Sequence, residues 1–326
     1  MSAASDPARA VPAAVPPASD SRARSSQVAG RNDPLRETNS GVTSDATLAG
    51  AHRVSQRALD GIRQGLSERD WQIMRSVDDY RFLTAGHLQT LHFNCHASDV
   101  SAGRITRRVL ERLRSHRVLG TLSRRIGGIR SGSTGLVYYL DEVGDRLLRA
   151  DNPARTRQRT VEPSTRFLTH TLAVADATIA IRAASRARGV ELVRLTPERG
   201  AWRRYQAAGG GLQTLRPDLF AEVAAQPSSD EVTAFFIEID LGHESLPTLL
   251  RKCHAYEQYR RSGSEQAAFG GFPRVLWSIA ARTPVTAARR RQALVQAIGH
   301  DQQLPDRLFA VTGPDQLAEL VTGGSS

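Results

Sequence analysis

Apolar residues first recur at a regular spacing near Leu59. Before that, residues 1–58 are rich in Ala, Ser, Pro, Asp and Arg, with almost no large aliphatic or aromatic side chain. Such a stretch cannot bury enough surface to offset the entropy of ordering, so a disordered tail is expected. From Ser67 the period turns helical. Ser67 reads as an N-cap, acids follow in the first turn, and Trp71, Ile73, Met74 and Val77 form the inner stripe. Thr84 reads as the cap of a second helix, with Leu88 and Leu91 facing inward. A third helix carries Ile105, Val109, Leu110, Leu113 and Val118 on one side and a series of arginines on the others. TLSRRI and GLVYYL then read as two strands around the loop GGIRSGST.

Polar, proline-containing sequence at 150–164 suggests a linker. Beyond it the pattern alternates. A long helix runs through Leu168, Leu172, Ala175 and Ile179, followed by the strand VELVRLTPE. WRRY and the glycine run AAGGGLQT are expected to be a flexible connection. LRPDLFAEV and TAFFIEIDLG read as strands joined by a hairpin-type turn, and SLPTLLRKCHAYEQYRRSG as a helix. PRVLWSIA is apolar almost throughout, as suits a central strand covered on both faces. A helix, a short strand through RLFAVT and a closing helix complete the order α-β-β-β-α-β-α-β-α, which describes a mixed sheet between helices. The expected organisation is a tail (1–58), a small helical domain with a hairpin (59–149), a linker (150–164), a mixed-sheet domain (165–320) and a disordered end (321–326).

Three helices followed by a hairpin with an arginine in its tip is the plan of a winged helix-turn-helix domain. On that plan Arg104, Arg107 and Arg108 of the third helix and Arg124, Arg125 and Arg130 of the wing are the candidate contacts to double-stranded DNA. Composition adds weight to this. The 326-residue chain has a formal net charge of +11, which favours an anionic partner. Cys95 and Cys253 are the only cysteines, far apart and outside any CxxC pair, which argues against a zinc finger or disulfide framework and fits a reducing cytoplasm. No apolar run is long enough to span a bilayer, and no secretory signal is evident. The basic residues are nearly all arginine; Lys252 is the single lysine.

The stretch from Leu215 to Tyr259 holds the candidate chemistry. Asp218 sits at the start of one strand. Glu238 and Asp240 are two apart on the next, so they project from one face. Acids gathered on neighbouring strands raise one another's pKa unless a cation sits among them, and oxygen donors suit Mg²⁺ or Mn²⁺. Asp218, Glu238 and Asp240 are therefore the candidate metal ligands. The bland alternative is an edge-strand charge pair bridged to Arg251 or Arg216. Apolar neighbours on both sides of the acids argue for partners of a more specific kind.

Pro217-Asp218, then Glu238-Ile239-Asp240 on an apolar strand, then a helix bearing Lys252, resembles the core of the PD-(D/E)xK nucleases. That resemblance implies a restriction-endonuclease-like fold, with Asp218 and Glu238 as ligands of a divalent cation and Lys252 assisting catalysis. Glu198 or Asp176 would stand in for a further acid. Asp240 occupies the position where such nucleases carry their lysine. Over roughly residues 60 to 320, LRPDLFAEV, FFIEIDLGHES and KCHAYEQY in order resemble the replication-relaxation family of bacterial plasmids and integrating elements. The implied protein is α+β, a winged helix followed by a mixed-sheet nuclease-like domain. It would bind DNA in the replication, relaxation or mobilisation of a mobile element, with a replication or conjugation protein or a second copy of itself as further partner. An active Mg-dependent nickase and a transcriptional regulator with a degenerate, docking nuclease-like domain remain as alternatives.

Overall fold

In the computed structural model, residues 54–93, 99–123, 135–158, 161–207, 209–224, 226, 229 and 231–323 are described. The first helix, α1 (Gln56–Gly65), begins inside the stretch expected to be a tail; Ser55 Oγ caps it by accepting from the Ala58 N–H at 3.3 Å. Leu59 is its one buried residue, too sparse an apolar stripe to mark a helix by periodicity. The capping signals further on act as their residue types dictate. Ser67 and Asp70 form a reciprocal capping box at the start of α2 (Glu68–Tyr80). Thr84 ends the short strand β1 (Leu83–Thr84) and caps α3 (Ala85–His92). The helix α4 (Asp99–Ser115) follows, then β2 (Leu119–Thr121) and β3 (Val137–Leu140). The three strands form an antiparallel sheet in the order β1-β3-β2. An unanticipated helix, α5 (Glu142–Asp151), is capped by Asp141 and buries Val143, Leu147 and Leu148.

The stretch 150–164 is tied back onto these helices. Arg155 donates from Nε to Asp78 at 2.8 Å and from Nη1 to Asp145 at 2.6 Å. The flanking carboxylates raise the pKa of this guanidinium, Asp78 most of all, although burial acts the other way. Thr47–Ser326 accordingly forms one compact unit.

The second half opens with α6 (Thr165–Arg188), ended by Gly189 in the left-handed conformation that favours glycine. Next come β4 (Glu191–Pro197), β5 (Arg203–Gln206), β6 (Leu212–Leu215), β7 (Leu219–Ala224) and β8 (Val232–Asp240). They are followed by α7 (Leu246–Ser262), α8 (Ser264–Phe269), β9 (Arg274–Ile279), α9 (Pro284–His300), β10 (Phe309–Thr312) and α10 (Pro314–Val321). Five strands form a sheet in the order β10-β9-β8-β7-β4. β4, β7 and β8 pair antiparallel, whereas β8, β9 and β10 run parallel. The protein is thus α+β with a mixed sheet.

Alternation along β8 divides its side chains between two cores. Phe235, Ile237 and Ile239 pack with Val174, Ala175 and Ile181 of α6 and with Leu317 of α10. Phe236 packs with Leu249, Cys253 and Tyr256 of α7 and Leu294 of α9. β9 lies between two strands and under helices on both faces, and its last five residues are all buried, as its unbroken apolar run requires.

The expected flexible connection is instead a β-hairpin, with Arg203 to Gln206 paired against Leu215 to Leu212. Its short strands escape periodicity because only Tyr205 and Leu215 are buried. The tie is tertiary: the Tyr205 ring packs 4.8 Å from Tyr259 of α7.

Candidate functional site

β7 and β8 pair Leu219 with Ile237, so Asp218 enters the sheet one residue beyond that pair and beside Glu238. Its Oδ2 accepts the Ile239 N–H at 2.7 Å. Nε2 of His170, from the first turns of α6, lies 3.2 Å from the same oxygen and 3.1 Å from the Ile239 carbonyl. Both are acceptors, so Nε2 carries the proton. Burial pulls the His170 pKa down, but the hydrogen bond and charge of Asp218 prevail and lift it to about 9.

Glu238 is 3 % exposed. Two α7 residues, spaced four apart on one helix face, reach it. Tyr256 donates its hydroxyl to Oε1 at 2.6 Å, and Lys252 Nζ donates to Oε2 at 3.2 Å. Burial pushes the Glu238 carboxyl up to about 7, against the pull of Lys252 and with the push of Asp218. The ammonium also contacts Glu244 at 3.1 Å and lies over the Trp277 ring. Burial works against its charge, yet the surrounding carboxylates, Glu238 foremost, raise its pKa.

Asp240 does share the Glu238 face, as the two-residue spacing predicts, but it serves another partner. Its Oδ2 accepts from Arg290 of α9, whose Nη2 also donates to the Glu244 carbonyl at 2.7 Å. Its Oδ1 accepts the Gly242 N–H at 2.9 Å. Gly242 has φ of 85°, and a Cβ there would lie 3.2 Å from the Ala280 carbonyl oxygen, so glycine is needed to fold the chain back onto the acid.

Each strand acid is therefore matched with a cation of the protein itself: Asp218 with His170, Glu238 with Lys252, Asp240 with Arg290. Among the described residues no group of three or more His, Cys, Asp or Glu is arranged to hold a metal ion. The expected set of Asp218, Glu238 and Asp240 is not gathered around one point. The donor set does not fit a resident Mg²⁺ or Mn²⁺, because Lys252 already lies between Glu238 and Glu244.

Of the further acids considered, Glu198 lies beside the cluster and Asp176 does not. The Glu198 N–H donates to the Asp218 carbonyl at 2.8 Å. Burial raises the Glu198 carboxyl pKa, with Arg81 opposing and Asp218 reinforcing. Asp176 instead accepts from His87 Nε2 of α3 at 3.0 Å. From sequence, His170 reads as a partly buried histidine near the start of its helix and Tyr256 as one of the residues on the buried side of α7; Arg290 and Arg81 are not singled out at all. The K-x-x-x-Y spacing could have placed Tyr256 beside Lys252. No local signal marks Arg290, which lies in the run Arg289-Arg290-Arg291.

The arginines of α4 divide sharply. Arg112 donates to both oxygens of buried Asp70, at 2.7 and 2.8 Å, and Arg114 pairs with Glu111 on the surface. Arg104, Arg107 and Arg108 are exposed, and none has a carboxylate partner among the described residues. Their spacing of three and four puts them on one face, with Val100 one turn earlier and 68 % exposed. The wing candidates Arg124, Arg125 and Arg130 lie outside the described residues.

The fold and these two charge arrangements define an α+β protein. A helical portion with a three-stranded sheet is followed by a five-stranded mixed sheet with a fully cation-matched acidic cluster. The chain belongs to the replication-relaxation family, whose model matches residues 74–275. The match spans α4, Asp218, Glu238, Asp240 and Lys252, and stops before Arg290. Membership connects the chain to the replication or relaxation of plasmid or mobile-element DNA. No curated protein matches it. No helix among the described residues is long and apolar enough to cross a membrane.

Proposed function

We propose that the chain binds double-stranded DNA of a plasmid or integrating element through α4, in the replication, relaxation or mobilisation of that DNA. The order α2, β1, α3, α4, β2, β3, with β1 paired to β3, supports a winged helix-turn-helix reading. The observation that carries it is the row of Arg104, Arg107 and Arg108, exposed and without a carboxylate partner among the described residues. Guanidiniums in that state suit phosphate oxygens and guanine edges, and Val100 offers an apolar contact of the kind that meets a thymine methyl. Arg124, Arg125 and Arg130 complete the proposed contact set from the wing. Fluorescence anisotropy with a duplex, across a salt series, tests this. Affinity should fall steeply with salt, by about one power of salt concentration per phosphate contacted. Affinity unchanged in the Arg104→Ala/Arg107→Ala/Arg108→Ala variant would overturn the reading.

A second reading, phosphodiester cleavage at Asp218, Glu238 and Lys252, is favoured by one observation, the approach of Lys252 to Glu238. The internal cations of the cluster favour the alternative, a nuclease-like sheet that serves as a docking platform for a replication or transfer partner. Nicking of supercoiled DNA with Mg²⁺ or Mn²⁺ separates the two. Cleavage abolished by Asp218→Ala and by Glu238→Gln would establish the enzyme; no nicking by the wild type leaves the platform.

A further inference from the structure

A cleft of about 330 Å³ opens between α2, α3 and α6, and none of the strand acids is in its lining. Its charged lining is Arg75, Arg182 and Arg186, with His92, Ser76 and Thr90 as polar neighbours. Among the described residues no carboxylate lines it. Arg182 and Arg186 are four apart on α6, so their guanidiniums leave the helix on one side. Neither forms an ion pair among the described residues. Arg75 is only loosely engaged, at 3.5 Å from Glu68 and 3.6 Å from Asp151, and its side chain is half exposed.

His92 Nε2 lies 3.0 Å from Ser76 Oγ. Burial, then Arg182 and Arg69, push its pKa down to about 4, so the ring stays neutral and works as a hydrogen-bonding wall. Leu91 and Ile179 supply an apolar side. Guanidiniums sharing one concavity, of which only Arg75 has acids near it, repel one another, a cost relieved by a bound anion. Arginine forks match the oxygens of a phosphate in bidentate fashion, and the volume is that of a small-ligand site.

We propose that this cleft is a phosphate-binding site. The phosphate has two candidate sources, a free nucleotide or diphosphate and a nucleic-acid backbone, and two probes separate them. Inorganic pyrophosphate is the probe for the first source. At constant ionic strength it should raise the melting temperature of the full chain saturably, and the half-saturating concentration should rise at least about tenfold in Arg182→Gln/Arg186→Gln. Both arginines are exposed, so that variant keeps its fold. A short duplex is the probe for the second source. If pyrophosphate has no effect but the same variant binds duplex at least about fivefold more weakly, the phosphate comes from the backbone. Citrate matching pyrophosphate in effect, or wild type and variant behaving alike toward both probes, would overturn the proposal. The α4 arginines are untouched in this variant, so its outcome is independent of the test of α4.

Discussion

The outer face of α4 and the acids of β7 and β8 treat charge in opposite ways. On α4, three arginines stand in water with no carboxylate partner among the described residues. At the strand ends, Glu238 and Asp240 are buried and Asp218 is partly so, and each is met by its own cation. Exposed guanidiniums lose little by waiting for an outside partner, whereas a buried carboxylate must be matched within the fold or take up a proton. The first region is open toward a ligand; the second is already satisfied.

The comparison breaks most visibly at Lys252. Removing its ammonium leaves Glu238 buried beside Asp218 with only Tyr256 to donate. Lys252→Met should destabilise the protein by about 2 kcal/mol in urea unfolding, below the range for a broken fully buried pair, because the Lys252 side chain is 36 % exposed and Glu238 can protonate. Adding Glu238→Gln should recover more than half of that. If the single variant costs no more than a surface pair, the cluster is not the matched system described here.

On α4 the corresponding change should leave stability within about 0.5 kcal/mol and act on binding instead. The triple alanine variant is expected to lose about a hundredfold in duplex affinity, and the slope of log affinity against log salt should fall by about three. Arg112→Ala serves as the internal contrast. It leaves buried Asp70 without its guanidinium, so it should lower stability before it lowers affinity.

A smaller effect is expected from pH. The folded pKa of His170 is about 9, above its ordinary value of 6.5. Its contribution is therefore fully present below about pH 6.5 and is lost as pH rises through 9. Glu238, raised from 4.5 to about 7, acts in the same direction at lower pH, with stability falling as pH rises from 4.5 through 7. Melting temperatures between pH 6 and 9.5 should thus decline by a few degrees, and His170→Gln should flatten the upper part of that curve. A decline that survives unchanged in His170→Gln would remove the ring from the account. Smallest of all is Asp176→Asn. Its carboxylate is 73 % exposed, and the loss should stay under about 0.5 kcal/mol.

Local pattern carried much of this architecture. Ser67 and Thr84 announce their helices because a cap is a short-range device. The PD and E-x-D acids and Lys252 on the following helix are legible as one stretch of candidate chemistry, because strand alternation fixes which acids share a face; that the Lys252 ammonium reaches Glu238 is not, since it depends on how α7 lies on the sheet. What periodicity could not carry was tertiary. The β5–β6 hairpin is held by Tyr205 against Tyr259, and α1 by little more than Leu59. Asp240 looked like a third ligand because its face was correctly assigned, but its partner Arg290 arrives from a helix fifty residues on. His170 was legible as a histidine near a helix start and nothing more, since its tie to Asp218 depends on where α6 crosses the sheet.

That helix carries a consequence of its own. At 24 residues and about 1.5 Å per residue, α6 is a rod of about 36 Å. Near one end it holds His170 against Asp218. A turn and a half on, Asp176 meets His87 of the preceding helical portion. Beyond that, Arg182 and Arg186 face the cleft. A stiff rod passes on axial shift and rotation along its whole length. These three addresses are therefore mechanically in series, and a displacement imposed at one is a displacement at the others.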